Sequence, residues 1–329
     1  MKDSMRQVRA ALVLVVCFGV YTYSHTLNTG DDEGNILSTS GKSTCLARHI
    51  YLDLGANWAQ TLDLYKQLLS VKHMEVEKLS RHRTGPFQIF AFEASPYIAP
   101  YVEKAIAYRN GDVSVIHEPK LPFPNSGSSI DLARINEESG NPCPTKPVDQ
   151  LRRCFLARYM DDLNKLEPLR YLNSTQLIND RLGLANSKHV DNENEYVFIP
   201  AAASSVDGWL TIEQSKLGLL IGGTTTKGEA VNYTHLGDDS FPPVAVRTVD
   251  IVTWLRRSFR PCDLVLVKMD VEGAEHDIIP ALIHSGAHNL VDILAWECHE
   301  KGGSCTHLRH LLQRTDIIVL EEGRDYNGW

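Results

Sequence analysis

Apolar residues fall into short runs along this chain, and the runs follow two periods. His49–Leu54, Phe87–Phe92, 196–203, 245–249, Leu264–Met269, 291–296 and 317–320 are compact stretches of strand length. The shorter stretch 113–116 also reads as extended. Between these runs the apolar positions recur at helical spacing, over 58–79 (Leu62, Tyr65, Leu68, Leu69), 97–108, 251–257 and 275–285. Strands alternating with helices predict an α/β fold whose mostly parallel sheet is covered on both faces.

The pattern changes at the N-terminus. An apolar run over 10–23 follows Lys2, Arg6 and Arg9 and precedes Asp31, Asp32 and Glu33. That asymmetry predicts a cytoplasmic N-terminus with the rest across a membrane. The run of about 14 residues is shorter than the usual span of about 20 and close to a signal-peptide core. Residues 1–25 are therefore expected to be a cytoplasmic tail and uncleaved signal-anchor, with a cleaved signal and a secreted product as the alternative. A polar, Gly- and Ser-containing stem over 26–45 leads into a folded domain over 46–329. The proline-rich segment 117–195, with a helical patch at 148–163, reads as an insertion. The expected protein is single-pass and type II, with its folded domain in the lumen of the endoplasmic reticulum or Golgi.

Composition narrows the function. Among 329 residues 43% are hydrophobic, enough for one large domain, and the net charge of -8 argues against nucleic-acid partners. Cys17 lies in the leader; Cys45, Cys143, Cys154, Cys262, Cys298 and Cys305 form an even set suited to an oxidising lumen. Sequence proximity suggests Cys143 with Cys154 and Cys298 with Cys305, leaving Cys45 with Cys262. Asn173-Ser-Thr and Asn232-Tyr-Thr are glycosylation sequons consistent with that compartment.

In open α/β sheets ligands bind beyond the carboxyl ends of the strands, and four strands here deliver an acid to that edge: Asp53, Glu93, Asp270 and Glu297. The turn Asp53-Leu-Gly55-Ala-Asn57 has one glycine, too few to cradle a diphosphate. It suits a ligand without phosphate and with a cationic end. Glu93 is placed to accept both hydroxyls of an adenosine ribose. Lys268-Met-Asp270-Val-Glu272-Gly273-Ala-Glu275 follows an apolar strand and opens a helix. Gly41-Lys42-Ser43 is not a P-loop end, because Ile36 stands where its first glycine belongs. Cys298-His299 and Cys305-x-His307 have a zinc-like spacing, but a disulfide is expected there, and no metal ligands are assigned.

At the Asp270–Glu275 run the sequence resembles the FkbM family of methyltransferases. Asp53 to Asn57, then Phe92-Glu93 with Pro96, Ala201-Ala202-Ala203-Ser204, Thr248-Val249-Asp250, and Glu297 with His299 match further elements in family order. The resemblance implies a Rossmann-like, class I methyltransferase fold with a seven-stranded sheet, S-adenosylmethionine as cofactor, and methyl transfer to oxygen, often on a sugar. It implies that Asp53, Gly55, Asn57, Glu93 and Ala202 hold the cofactor and that Asp270, Glu272 and Glu275 stand at the reaction edge. A hydroxyl loses its proton as it attacks, so a nearby base is expected, with His299 and Asp270 the candidates and Glu272 beside them. Glu275 and Glu297 are read as acceptor-binding. The expected acceptor is a glycan or another small molecule. Two other readings stay open: a metal-dependent glycosyltransferase using Asp270 and Glu272, and a non-catalytic lumenal binding protein on the same fold.

Overall fold

The computed structural model describes residues 47–70, 85–119, 154, 174–186, 193–214, 225–226, 241–300 and 302–321. The leader, the stem, both sequons' asparagines, Cys45, Cys143 and most of 117–195 lie outside them. Among the described residues no helix is long and apolar enough to cross a membrane.

Six strands form one parallel sheet in the order β10-β9-β8-β1-β2-β3. They are β1 (His49–Leu54), β2 (Phe87–Phe92), β3 (Glu195–Ile199), β8 (Leu264–Met269), β9 (Ile293–Trp296) and β10 (Ile318–Glu321). β1, β2 and β8 are buried along nearly their whole length, as central parallel strands must be. Their side chains alternate between two cores. Tyr51, Ile89, Ala91, Leu264 and Leu266 face one side, where α1 (Tyr65–Leu68) and α2 (Ala99–Arg109) pack. Leu52, Phe90, Phe92, Val267 and Met269 face the other, under α3 (Thr175–Gly183), α4 (Ile251–Ser258), α5 (Glu275–His284) and α6 (Cys305–Leu312). The chain leaves β1 toward β2 on one side and β8 toward β9 on the other. The sheet therefore reverses direction between β1 and β8, which puts a crevice at their carboxyl ends.

A second sheet, β4-β7-β5-β6, stands beside this edge. It contains β4 (Ala202–Ser204), β5 (Gly208–Glu213), β6 (Thr225–Thr226) and β7 (Val244–Asp250). Here the structure departs from the sequence pattern. The run 196–203 is two strands, because Pro200 has no N–H to continue the ladder and the chain changes sheet there. The run at 245–249 is a strand as expected, but it pairs with β4 and β5. Among the described residues the central sheet has six parallel strands, and a seventh is not among them.

Three other expectations are corrected. The helix read over 58–79 is confined to Tyr65–Leu68 among the described residues, because Asn57 (φ 46°) and Ala59 (φ 66°) are left-handed and break the preceding turn. The stretch 113–116 is not a strand: it joins no sheet among the described residues, and Val113 and Ile116 are 93% and 79% exposed. Part of the supposed insertion belongs to the core, since α3 buries Ile178 and its Leu182 carbonyl accepts from the Trp254 indole. Ser174 caps α3 by accepting from the Leu177 amide, and Asp250 caps α4 by accepting from the Thr253 amide.

Candidate active site

The carboxyl ends of β1, β2 and β8, together with β4 and β5, enclose a cavity of about 330 Å³, within the usual range for small-molecule sites. Its walls are built from three directions.

The first wall is the turn after β1 and the end of β2. The Gly55 and Ala56 amides donate to the Phe92 carbonyl at 3.1 and 2.8 Å, latching this turn onto β2. Gly55 has φ +88°, and a Cβ there would lie 1.9 Å from the Asp270 carbonyl oxygen. Its need for glycine thus comes from the close approach of the β1 turn to the end of β8, not only from room for a ligand. Glu93 is 6% exposed and lines the cavity beside Phe92 and Ala94. One carboxylate oxygen accepts from the Asn57 amide at 2.8 Å and the other from the Ser95 amide at 2.6 Å. Burial raises its pKa to about 7 against the opposing effect of those amides and of Lys268.

The second wall is small and apolar: Ala201, Ala202, Ala203 and Ser204, closed by Leu210 and Ile212 of β5. The third is the loop after β8, with Asp270, Glu272 and Asp277 reaching the cavity. Glu272 (φ 53°) and Gly273 (φ 108°) are consecutive left-handed residues that turn this loop. A non-glycine residue held in that region beside a cavity is a common sign of a functional site. No lysine or arginine lines the cavity among the described residues.

Beneath the floor lies a charged cluster that the sequence reading did not assign. Lys268, 1% exposed, donates to the Gly55 carbonyl and to Asp270 Oδ2 at 3.3 Å, and stands 3.6 Å from Asp53 Oδ1. Burial disfavours its charge, but Asp270 and Asp53 outweigh that and raise its pKa. Asp53 is fully buried, accepts from the Thr61 hydroxyl, and has its pKa raised by desolvation despite Lys268. The signal available beforehand was one lysine in the strand Leu-Val-Leu-Val-Lys-Met, where a buried cation requires acidic partners.

Several expected site residues thus stand behind the wall. Gly55, Asn57, Glu93, Ala202, Asp270 and Glu272 line the cavity; Asp53, Glu275, Glu297 and His299 do not. Glu275, fully buried, accepts from the Gly273 amide at 2.8 Å with one oxygen. Its other oxygen accepts from the His299 amide at 2.6 Å and from His299 Nδ1 at 3.1 Å. It ties the β8 loop to the β9 loop, with both its oxygens hydrogen-bonded within the protein. His299 Nε2 lies 3.8 Å from both Asp270 Oδ1 and Glu272 Oε2 and 3.9 Å from the half-exposed Glu297. Burial opposes the imidazolium, yet the Glu275 hydrogen bond and the charges of Glu272 and Asp270 prevail and raise its pKa to about 9. That shift favours the imidazolium while the neighbouring carboxylates hold no cation.

The β9 loop is pinned by a disulfide between Cys298 and Cys305, one of the expected pairs, so these sulfurs hold no zinc. Cys154 and Cys262 are also disulfide-bonded.

A comparison with protein families matches the Methyltransferase FkbM domain over residues 74–319. The match covers β2 through the first half of β10 and begins after β1 and its Asp53–Asn57 turn. No match was found among curated proteins or among solved structures.

Proposed function

The chain belongs to the FkbM methyltransferase family, and from that premise we propose that it transfers the methyl group of S-adenosylmethionine to a hydroxyl oxygen of a glycan or small-molecule acceptor. The observation that carries this reading is an acid-lined cavity at the sheet's reversal point, with no lysine or arginine on its wall among the described residues. Such a wall suits a ligand with a cationic end. The residues present fit the cofactor. Glu93 would accept from the ribose hydroxyls with the lone pairs its two amide partners leave open. Phe92, Ala94 and the Ala201–Ala203 wall would take the adenine, and Asp270 and Glu272 would face the cationic end. Bound there, S-adenosylmethionine supplies an already activated methyl group.

The chain then has two tasks: aligning the acceptor oxygen and receiving its proton. Asp270 and Glu272 are the carboxylates on the wall at that edge. His299, held by Glu275, orients them from behind. The test is transfer of labelled methyl from the donor to a panel of hydroxyl, carboxyl and amine acceptors. Label recovered in a base-stable ether supports the reading; label only in an ester or an amine contradicts the hydroxyl acceptor.

We place this activity in the secretory pathway, on a single-pass type II protein with a lumenal domain. The basic–apolar–acidic leader and the disulfides support that placement. Protease protection of the C-terminus in sealed vesicles is the expected result; cleavage from the cytosolic side would reverse the placement.

A further inference from the structure

Two groups of potential metal donors come together among the described residues. In one, His276 with Cys298 and Cys305, the disulfide takes both sulfurs. In the other, Asp270, Glu297 and His299 bring a carboxylate oxygen, a second carboxylate oxygen and an imidazole nitrogen within 4.8 Å of one another. We infer that Asp270, Glu297 and His299 bind one divalent transition-metal cation, Mn²⁺ or Zn²⁺, at the edge of the cavity.

The spacing supports a shared ion more than direct contact. His299 Nε2 stands 3.8 Å from Asp270 Oδ1 and 3.9 Å from Glu297 Oε1, beyond hydrogen-bonding reach. Donors held about 2.0–2.2 Å from a cation lie roughly 3.0–3.6 Å from their neighbours, so closure needs inward shifts of a few tenths of an ångström.

Two ligands are also fixed from behind by residues outside the donor set. Glu275 accepts from His299 Nδ1, which leaves Nε2 to face the carboxylates. Lys268 holds Asp270 Oδ2, which leaves Oδ1 to face the imidazole. Support of this kind orients metal ligands. Glu272 Oε2, 3.8 Å from Nε2, adds a further oxygen on the same side.

One nitrogen with two or three oxygens favours Mn²⁺ or Zn²⁺ over Mg²⁺ or Ca²⁺, which prefer oxygen alone. Glu297, 46% exposed, opens the site to solvent, and Asp270 opens it to the cavity. The ion's remaining positions would then take the acceptor's hydroxyl oxygen, a role that rests on the methyl-transfer reading above.

The test is cation binding by the chelator-treated full chain, using Mn²⁺ by electron paramagnetic resonance and Zn²⁺ and Mg²⁺ by equilibrium dialysis. Titration with S-adenosylmethionine is run on the same samples. One Mn²⁺ or Zn²⁺ per chain is expected. Glu297→Gln and His299→Gln should each weaken it at least about tenfold, and Glu275→Gln by about 10- to 100-fold. Glu297 is half-exposed, so its variant should fold normally. Wild-type chain that binds S-adenosylmethionine but none of these cations at millimolar concentration overturns the site. So does unchanged affinity in the Glu297 and His299 variants. Cation binding without S-adenosylmethionine binding supports the site while removing the cofactor reading, so the two failures are distinct.

Discussion

The two flanks of the cavity hold their carboxylates in different ways. On the β1–β2 flank, Glu93 is fixed by two backbone amides, those of Asn57 and Ser95. On the β8–β9 flank, Asp270 and Glu272 are set by charged side chains, Lys268 and His299, with Glu275 behind. Main-chain donors do not titrate, so Glu93 keeps the same two partners across pH while its own carboxyl ionises at about 7. Side-chain partners respond to pH, to substitution and to ions, so the second flank is where a proton can move. On the methyl-transfer reading proposed above, binding falls to the first flank and chemistry to the second.

The seam between the flanks should be the most sensitive place to break. Lys268→Met removes the cation between buried Asp53 and Asp270, and loss of one partner of a buried pair costs about 3–5 kcal/mol. Urea unfolding measures this; a loss below about 1 kcal/mol would show that the cluster relaxes without its lysine. Glu93→Ala breaks the receptor flank alone. Removing its hydrogen bonds should cost about 1.5–3 kcal/mol, or roughly 10- to 150-fold in S-adenosylmethionine affinity. Turnover at saturating donor should change little, and a fall in turnover with unchanged affinity would move Glu93 to the other flank.

Glu275→Gln sharpens the contrast from the second flank. Donor affinity should hold while turnover falls by about 10- to 100-fold through misplacement of the β9 loop. Equal losses in both would mean that the two flanks are one unit. The smallest expected effect is a pH dependence. The Glu93 pKa is raised to about 7, so its contribution to stability is present below its usual 4.5 and is lost as pH rises through about 7. Donor affinity should move the opposite way, rising by at most about tenfold between about pH 6 and pH 8 as the accepting carboxylate ionises. Calorimetry in wild type and Glu93→Gln separates the two, because the variant should lose the dependence.

Much of this division was legible in the residues. The strands His49–Leu54, Phe87–Phe92 and Leu264–Met269 were readable to the residue, because buried strands are predominantly apolar runs. The cavity's acids were readable as the residues closing those strands. Three things were not. Sheet membership is invisible in periodicity, so β7 was expected in the central sheet. Left-handed Asn57 and Ala59 broke a helix that spacing alone predicted. The sequence also orders residues along the chain and not by depth. Asp53 and Glu275 therefore read as ligand-facing although both are fully buried, and Lys268 passed as part of an apolar strand.

The most direct test of the central claim is calorimetric titration of the full chain with S-adenosylmethionine, alongside a sugar nucleotide with Mn²⁺. The account predicts one S-adenosylmethionine site per chain, weakened in Glu93→Ala, and no sugar-nucleotide binding. A folded chain that gives no heat with S-adenosylmethionine at millimolar concentration, or that binds it equally well in Glu93→Ala, would contradict it.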